Sequence, residues 1–163
     1  KRIPLWAHYA NNHQGFCIKY GISDKNQIFP VLYSNQRLIS ATIVTKLCQA
    51  FLDGYEQRKE PGSDFWHYYR ILFLTFCTKS SEWKYEHEYR VFDFNEEEEK
   101  PGKTIPLSST GLHVEKIFIG MNCAAKYEKE LVRIGKLQNC PVYKMGIVEN
   151  SVYYSMRPRK MRY

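Results

Sequence analysis

Between Leu112 and Lys144 the chain has room for one arrangement, a strand, a helix and a second strand. Val114, Lys116 and Phe118 alternate with Glu115, Ile117 and Ile119, the two-residue period of a strand. Apolar residues fall in both registers, so this strand is expected to be covered on both faces. Asn122 stands where a helix cap belongs, and Tyr127, Leu131 and Ile134 mark the inward side of a helix to about Gln138. Pro141 to Lys144 is the next strand. Two strands joined by a helix of this length pair in parallel through a crossover.

The other segments are placed around that unit. Trp6-Ala7-His8-Tyr9-Ala10 opens the fold as a short strand or helix, and Asn11 to Gly15 is rich in turn residues. Phe16–Tyr20, Ile28–Tyr33, Thr104–Ser108 and Ile147–Ser155 read as strands, with Pro30 favouring a sheet edge. A helix is expected from Ser40 to about Asp53, with Ile43, Leu47, Ala50 and Phe51 on one face and Gly54 as its stop. Ser63 is expected to cap a second helix, to about Thr78, whose Phe65, Tyr69, Leu72, Phe73 and Phe76 make it the central buried helix. The fold class is α+β: a mixed, mainly antiparallel sheet of about seven strands with about three helices. The expectation is a single globular domain over residues 1–156, then a basic tail at 157–163.

A chain of 163 residues is long enough to bury about two thirds of its surface. Its 13 tyrosines suit half-buried walls and grooves. The five cysteines are an odd number with no Cys-x-x-Cys, which argues for reduced thiols in a cytoplasmic protein and against a zinc site. No apolar run reaches the roughly 18 residues of a membrane span, and Lys1 to Trp6 lacks a signal-peptide core. Net charge is +7, with Arg157, Arg159, Lys160 and Arg162 close to the end. Those four are expected to form a solvated terminus; nucleic acid or an acidic partner is what they suit.

The stretch from Glu82 to Phe94 holds the candidate chemistry. Read as a strand, it points Glu86, Glu88, Arg90, Phe92 and Phe94 one way, and Tyr85, His87, Tyr89, Val91 and Asp93 the other. Two carboxylates on one face couple, raising the pKa of one and leaving an acid beside a base. The plainer reading is an exposed face neutralised by Arg90 and nearby lysines. His8, of the type that changes charge near neutrality, and Tyr9, a hydrogen-bond donor, are expected to share a cleft with Glu86 and Glu88. Lys79 closes the preceding helix at its negative end, with a ligand phosphate as the alternative use. Trp83 and Trp6 are stacking walls or core; His13, in its aromatic surroundings, reads as structural. Asn95 to Lys103 reads as a solvated hairpin tip, because adjacent carboxylates repel. Gly-x-x-x-x-Gly-Lys, Gly-x-Gly-x-x-Gly and Gly-x-Ser-x-Gly are absent, which argues against P-loop hydrolysis, Rossmann binding and α/β-hydrolase chemistry.

The ordered set Trp6-Ala7-His8-Tyr9-Ala10-Asn11-Asn12-His13-Gln14-Gly15-Phe16-Cys17-Ile18, Val31-x-Tyr33, Lys79, Trp83-x-Tyr85-Glu86-x-Glu88-Tyr89-Arg90 and Ile117-x-Ile119-Gly120 resembles an uncharacterised bacterial family, domain of unknown function two-nine-seven-one. The resemblance runs to about residue 145. It implies an additional N-terminal segment, with Tyr-Arg and Asn-Asp-Pro motifs, that this sequence lacks. It implies no settled activity, and some members resemble components of phage-defence or toxin loci. A looser analogy links Glu86-x-Glu88 to the end of the arginine-directed ADP-ribosyltransferase motif. That analogy implies NAD as cofactor, Glu88 steadying the charge that develops on the ribose, and Glu86 orienting the acceptor. His8 and Tyr9 would meet the nicotinamide-ribose end. The accompanying Arg and Ser-Thr-Ser elements are not visible, with Ser80-Ser81 the nearest substitute. Three classes of function fit: a NAD-using transferase or toxin with catalytic Glu88, Glu86 and His8 and ligand-binding Tyr9, Arg90, Lys79 and Trp83; a nucleic-acid-binding or nuclease-like module; and a non-catalytic protein-interaction domain.

Overall fold

Ile117, Phe118 and Ile119 pair in parallel with Val142, Tyr143 and Lys144, and a helix over Ala125–Leu137 joins the two strands. The crossover unit anchors a computed structural model that describes residues 3–23, 28–36, 40–57, 59–92, 104–153 and 155–162. In chain order the elements are α1 (Ile3–Tyr9), β1 (Phe16–Ile22), β2 (Phe29–Pro30), β3 (Leu32–Tyr33), α2 (Ser40–Glu56), α3 (Ser63–Phe76), β4 (Thr78–Lys79), β5 (Tyr89–Arg90), β6 (Leu112–Ile119), α4 (Ala125–Leu137), β7 (Val142–Ile147) and β8 (Met156–Lys160). Among the described residues there are also two 3-10 turns, Ser81–Glu86 and Leu107–Ser109. The fold is α+β with a mixed sheet. Two compact units form, one from Lys1–Lys25 with Glu97–Tyr163 and the other from Asn26–Glu96.

The first unit is built on a sheet of order β1-β6-β7-β8, in which only β6 and β7 are parallel. Alternation on β6 feeds two cores. Ile117 and Ile119 join Cys123, Cys140 and Val142, with Leu131 and Val132 of α4 packed against them. Phe118 points to the opposite face, where Trp6 and Ala10 meet Met145 and Met156. So β6 is covered on both sides, as its double register implied. Each fully buried side chain of this kind stabilises by roughly 1.5–3 kcal/mol. The helix lies close to the sheet at Gly135, where a Cβ would meet Val142 Cγ2 at 2.2 Å.

The second unit holds the helix pair α2 and α3, in contact through Phe51 and Phe65, whose ring centres are 6.1 Å apart. Phe29, Phe73 and Phe92 stack edge to face and tilted within 5.7 Å, tying β2 to α3. Two small sheets, β2 with β5 antiparallel and β3 with β4 parallel, take the place of the single strand expected over Ile28–Tyr33. Pro30, which has no N–H to donate, sits in one of them.

Several expectations are corrected. The helix α3 has no fully buried residue, and Trp66, Tyr69, Leu74 and Phe76 are each more than 40% exposed, so it is not a central buried helix. Its cap is Gly62, with no side-chain hydrogen bond, rather than Ser63. On α4, Leu131 faces the core but Tyr127 and Ile134 are exposed, and Asn122 stands outside the helix. Thr104–Ser108 is not a strand, because the hydroxyls of Ser109 and Thr110 bond back to Pro106 O at 2.8 Å and Leu107 O at 2.7 Å and favour a tight turn. Nor is Ile147–Ser155: β7 ends at Ile147, turn residues follow, and Val148 N–H to Ser155 O at 3.0 Å starts the return. The return is β8. Arg157, Arg159 and Lys160, expected in a tail, are thereby paired with Gly146, Lys144 and Tyr143. The Asn95–Lys103 segment, with Asp93 and Phe94, lies outside the described residues. None of the five cysteines is in a disulfide, and among the described residues no helix is long and apolar enough to cross a membrane.

Candidate functional site

The site forms where the chain leaves α3 and folds back on itself. Pairing of Thr78 and Lys79 with Leu32 and Tyr33 fixes the start of the loop. Ser80 then accepts from Glu82 N–H at 3.4 Å and caps the 3-10 turn Ser81–Glu86. His87, in the left-handed region at φ 50°, ends that turn. Tyr89 and Arg90 next pair with Pro30 and Phe29. The expected strand from Glu86 onward is therefore reduced to two residues; turn and left-handed residue replace the rest. The left-handed residue between Glu86 and Glu88 brings the two carboxylates to one cation by a tight turn rather than by strand pleat.

That cation is Lys79. Its ammonium donates to Glu86 Oε2, and to Glu88 Oε2 at 3.0 Å. Arg90 Nε donates to the other oxygen, Glu88 Oε1, at 2.8 Å, while its Nη1 donates to the Phe76 carbonyl. The Tyr33 hydroxyl accepts from Glu88 N–H at 2.8 Å. Lys79 Nζ also lies 5.0 Å from the centre of the Trp83 ring, within cation–π range. Among the described residues, Lys79 and Arg90 face Glu86 and Glu88 in this cluster. The Glu86 side chain is only 6% exposed, and those of Lys79, Glu88 and Arg90 are each 30% exposed or less, so the charges are poorly screened. Beside Lys79 opens a cleft of about 430 Å³, lined by Ser34, Asn35, Gln36, Thr75, Thr78 and Ser80. Lys79 belongs to both cluster and cleft.

The expected acid–base split is corrected for Glu88. Arg90 first, and then Lys79, hold its carboxyl below the ordinary 4.5, against the opposing effect of burial. Glu86 and Glu88 in turn push Lys79 above 10.5. The depressed carboxylate contributes stability that is complete above the unfolded pKa, about 4.5, and is lost as pH falls through the lower folded value. The raised ammonium contributes stability that is complete below 10.5 and is lost as pH rises through its folded value. A urea midpoint measured against pH is thus expected to fall below about 4.5, and Glu88→Gln to flatten that acid limb; an unchanged limb would show the pairing to be energetically silent.

Glu86, Glu88, Arg90, Lys79 and Trp83 are brought together. His8 and Tyr9 belong to the first unit, in the last turn of α1, and both are exposed. Trp6 is core, 8% exposed. His13 is also buried, in the left-handed region at φ 65°, parallel to Trp6 with ring centres 6.3 Å apart. Sequence reasoning missed Tyr33 as a partner of Glu88 and the Phe76 carbonyl as a partner of Arg90. Neither contact leaves a periodicity signal. Among the described residues no group of three or more His, Cys, Asp or Glu side chains is arranged to hold a metal ion.

A family model described as protein of unknown function (DUF2971) matches residues 5–91. The chain belongs to that family. The DUF2971 match takes in most of α1, all of β1 and every member of the Lys79 cluster, and stops before β6. No curated protein and no solved structure matches the chain.

Proposed function

We propose that the Lys79 cluster and its cleft form the working centre of a nucleotide-handling enzyme, with NAD as substrate and ADP-ribosyl transfer as the reaction. The observation that carries this reading is Lys79 itself, one ammonium shared by a paired-carboxylate cluster and a cleft of hydroxyl and amide groups. The cleft chemistry suits sugar hydroxyls, and its volume falls within the range of small-molecule sites. Lys79, kept charged, contacts a phosphate oxygen as a point charge. Glu88, kept ionised, steadies the positive charge that builds on the ribose as the bond to nicotinamide breaks. Glu86 positions Lys79 and orients the acceptor.

Incubation with NAD labelled in the adenylate phosphate tests this. Transfer of label to an acceptor, or release of nicotinamide, is expected from the native chain. Glu88→Gln is expected to lose at least about a hundredfold in rate, the cost of removing one charged group that acts in the transition state. Absence of NAD binding and turnover in the native chain would sink the reading, as would undiminished turnover by Glu88→Gln.

A further inference from the structure

A second cavity lies wholly within the first unit, where the Asn11–Phe16 segment meets the start of α4. It encloses about 380 Å³ and is lined by Asn11, Gln14, Phe16, Asn122, Tyr127 and Leu131, among others. We propose that this cavity binds a planar heterocyclic base, of a free nucleotide or of a single-stranded nucleic acid. The inference does not rest on the reading of the Lys79 cluster.

Two kinds of group point to that ligand. The first is flat apolar surface. Phe16 and Tyr127 both line the cavity and are more than half exposed, 51% and 57%, although rings of this size ordinarily gain most from burial. Bases stack on such rings whatever their sequence. Lys126 Nζ, 4.5 Å from the centre of the Tyr127 ring, puts a cation beside that wall, where a base carries its phosphate.

The second is an amide edge. Asn11 Nδ2 donates to Gln14 Oε1 at 3.2 Å, which joins the two side-chain amides. Gln14 Nε2 and Asn11 Oδ1 take no part in that bond. A donor and an acceptor are thus offered together, the complement of a base edge. No carboxylate lines the cavity.

The segment that carries these groups is held in place before any ligand arrives. Asn11, Asn12 and His13 are consecutive left-handed residues, at φ 43°, 51° and 65°. Such a run persists only where its surroundings fix it. Asn122 does so through its side-chain amide to Asn12 O at 3.1 Å and its N–H to His13 O at 3.0 Å, and Gly120 N–H bonds Gly15 O at 2.9 Å. A preformed wall lowers the ordering cost of binding.

Calorimetric titration of the whole chain with adenosine, uridine and ribose 5-phosphate tests the proposal. Saturable binding of at least one nucleoside, and none of ribose 5-phosphate, is expected at millimolar concentrations. Tyr127→Ala, at an exposed position, is expected to weaken nucleoside binding at least fivefold, roughly the loss of one stacking contact. Gln14→Leu is expected to weaken it and to shrink the difference between adenosine and uridine. Thermal melts matching the native chain show both variants folded. An arm with AMP and a single-stranded octanucleotide distinguishes the sources: tighter AMP binding indicates a free nucleotide, tighter octanucleotide binding a strand, each with the same Tyr127 dependence. Failure of both nucleosides to bind, or binding indifferent to both variants, overturns the proposal.

Discussion

Lys79→Met is expected to destabilise the Asn26–Glu96 unit by about 2–4 kcal/mol, the loss seen when one partner of a poorly solvated ion pair is removed. Methionine keeps the length and apolar stem of the side chain, so packing against Trp83 changes little. What changes is charge. Glu86 and Glu88 lose the cation they share, in a place where Glu86 is 6% exposed. A unit of about 70 residues loses roughly 4–8 °C of melting temperature per kcal/mol, so a drop of about 10 °C or more is expected. Lys79→Met with Glu86→Gln should recover part of that loss, because neutralising Glu86 removes a poorly solvated charge that the Lys79 ammonium had offset. Calorimetry of the single and double variants decides it. A single variant within 0.5 kcal/mol of the native chain, an ordinary surface effect, would reduce the cluster to a solvated ion pair.

Gly120→Ala should be worse. A Cβ at this position would stand 2.1 Å from His13 O, 2.7 Å from His13 C and 2.8 Å from Gly15 O. All three are backbone atoms, so no side chain can rotate away. Either the Asn11–Gly15 segment shifts, breaking the bonds of its left-handed run to Asn122 and of Gly15 to Gly120, or β6 moves from β1. A loss of about 3 kcal/mol or more is expected, at the upper end for overpacking. Gly146→Ala is the control, since nothing lies within 4 Å of its would-be Cβ; it should be neutral or gain about 0.4–1 kcal/mol from a stiffer unfolded chain. Urea denaturation of the two variants side by side measures the contrast, and similar midpoints would refute the close approach.

The crossover unit was the most legible part of the sequence, because Ile117, Phe118 and Ile119 advertise burial on both faces and the helix after them has room for nothing else. The inward face of that helix is less legible. Tyr127 and Ile134 fit the periodicity but are exposed, since spacing locates a stripe without saying how far the sheet extends beneath it. The Glu86–Glu88–Arg90 grouping was found through a strand that is mostly not there. His87 carries no sign of its left-handed backbone, as a glycine would have. Tight turn and pleat happen to give the same neighbours. Lys79 could not be placed from spacing, because its partners depend on pairing with Leu32 and Tyr33 far back in the chain. Non-local pairing hid β8 as well: Arg157, Arg159 and Lys160 have the composition of a solvated terminus, and only the antiparallel register with β7 makes them a strand.

The register of β1 has a consequence for synthesis. Phe16 pairs with Ile119 and Ile22 with Leu112, so the whole Asn26–Glu96 unit emerges from the ribosome between one ladder and its complement. At roughly 5–20 residues per second, β1 waits on the order of ten seconds for β6. For that interval Phe16, Ile18, Tyr20 and Ile22 form a naked aggregation-prone segment, punctuated by one lysine. Folding of the inserted unit before β6 emerges would shorten the flexible chain between the two strands and lower the entropic cost of closing it. Nascent-chain yield should therefore track the stability of the insert, even for substitutions remote from the four-stranded sheet.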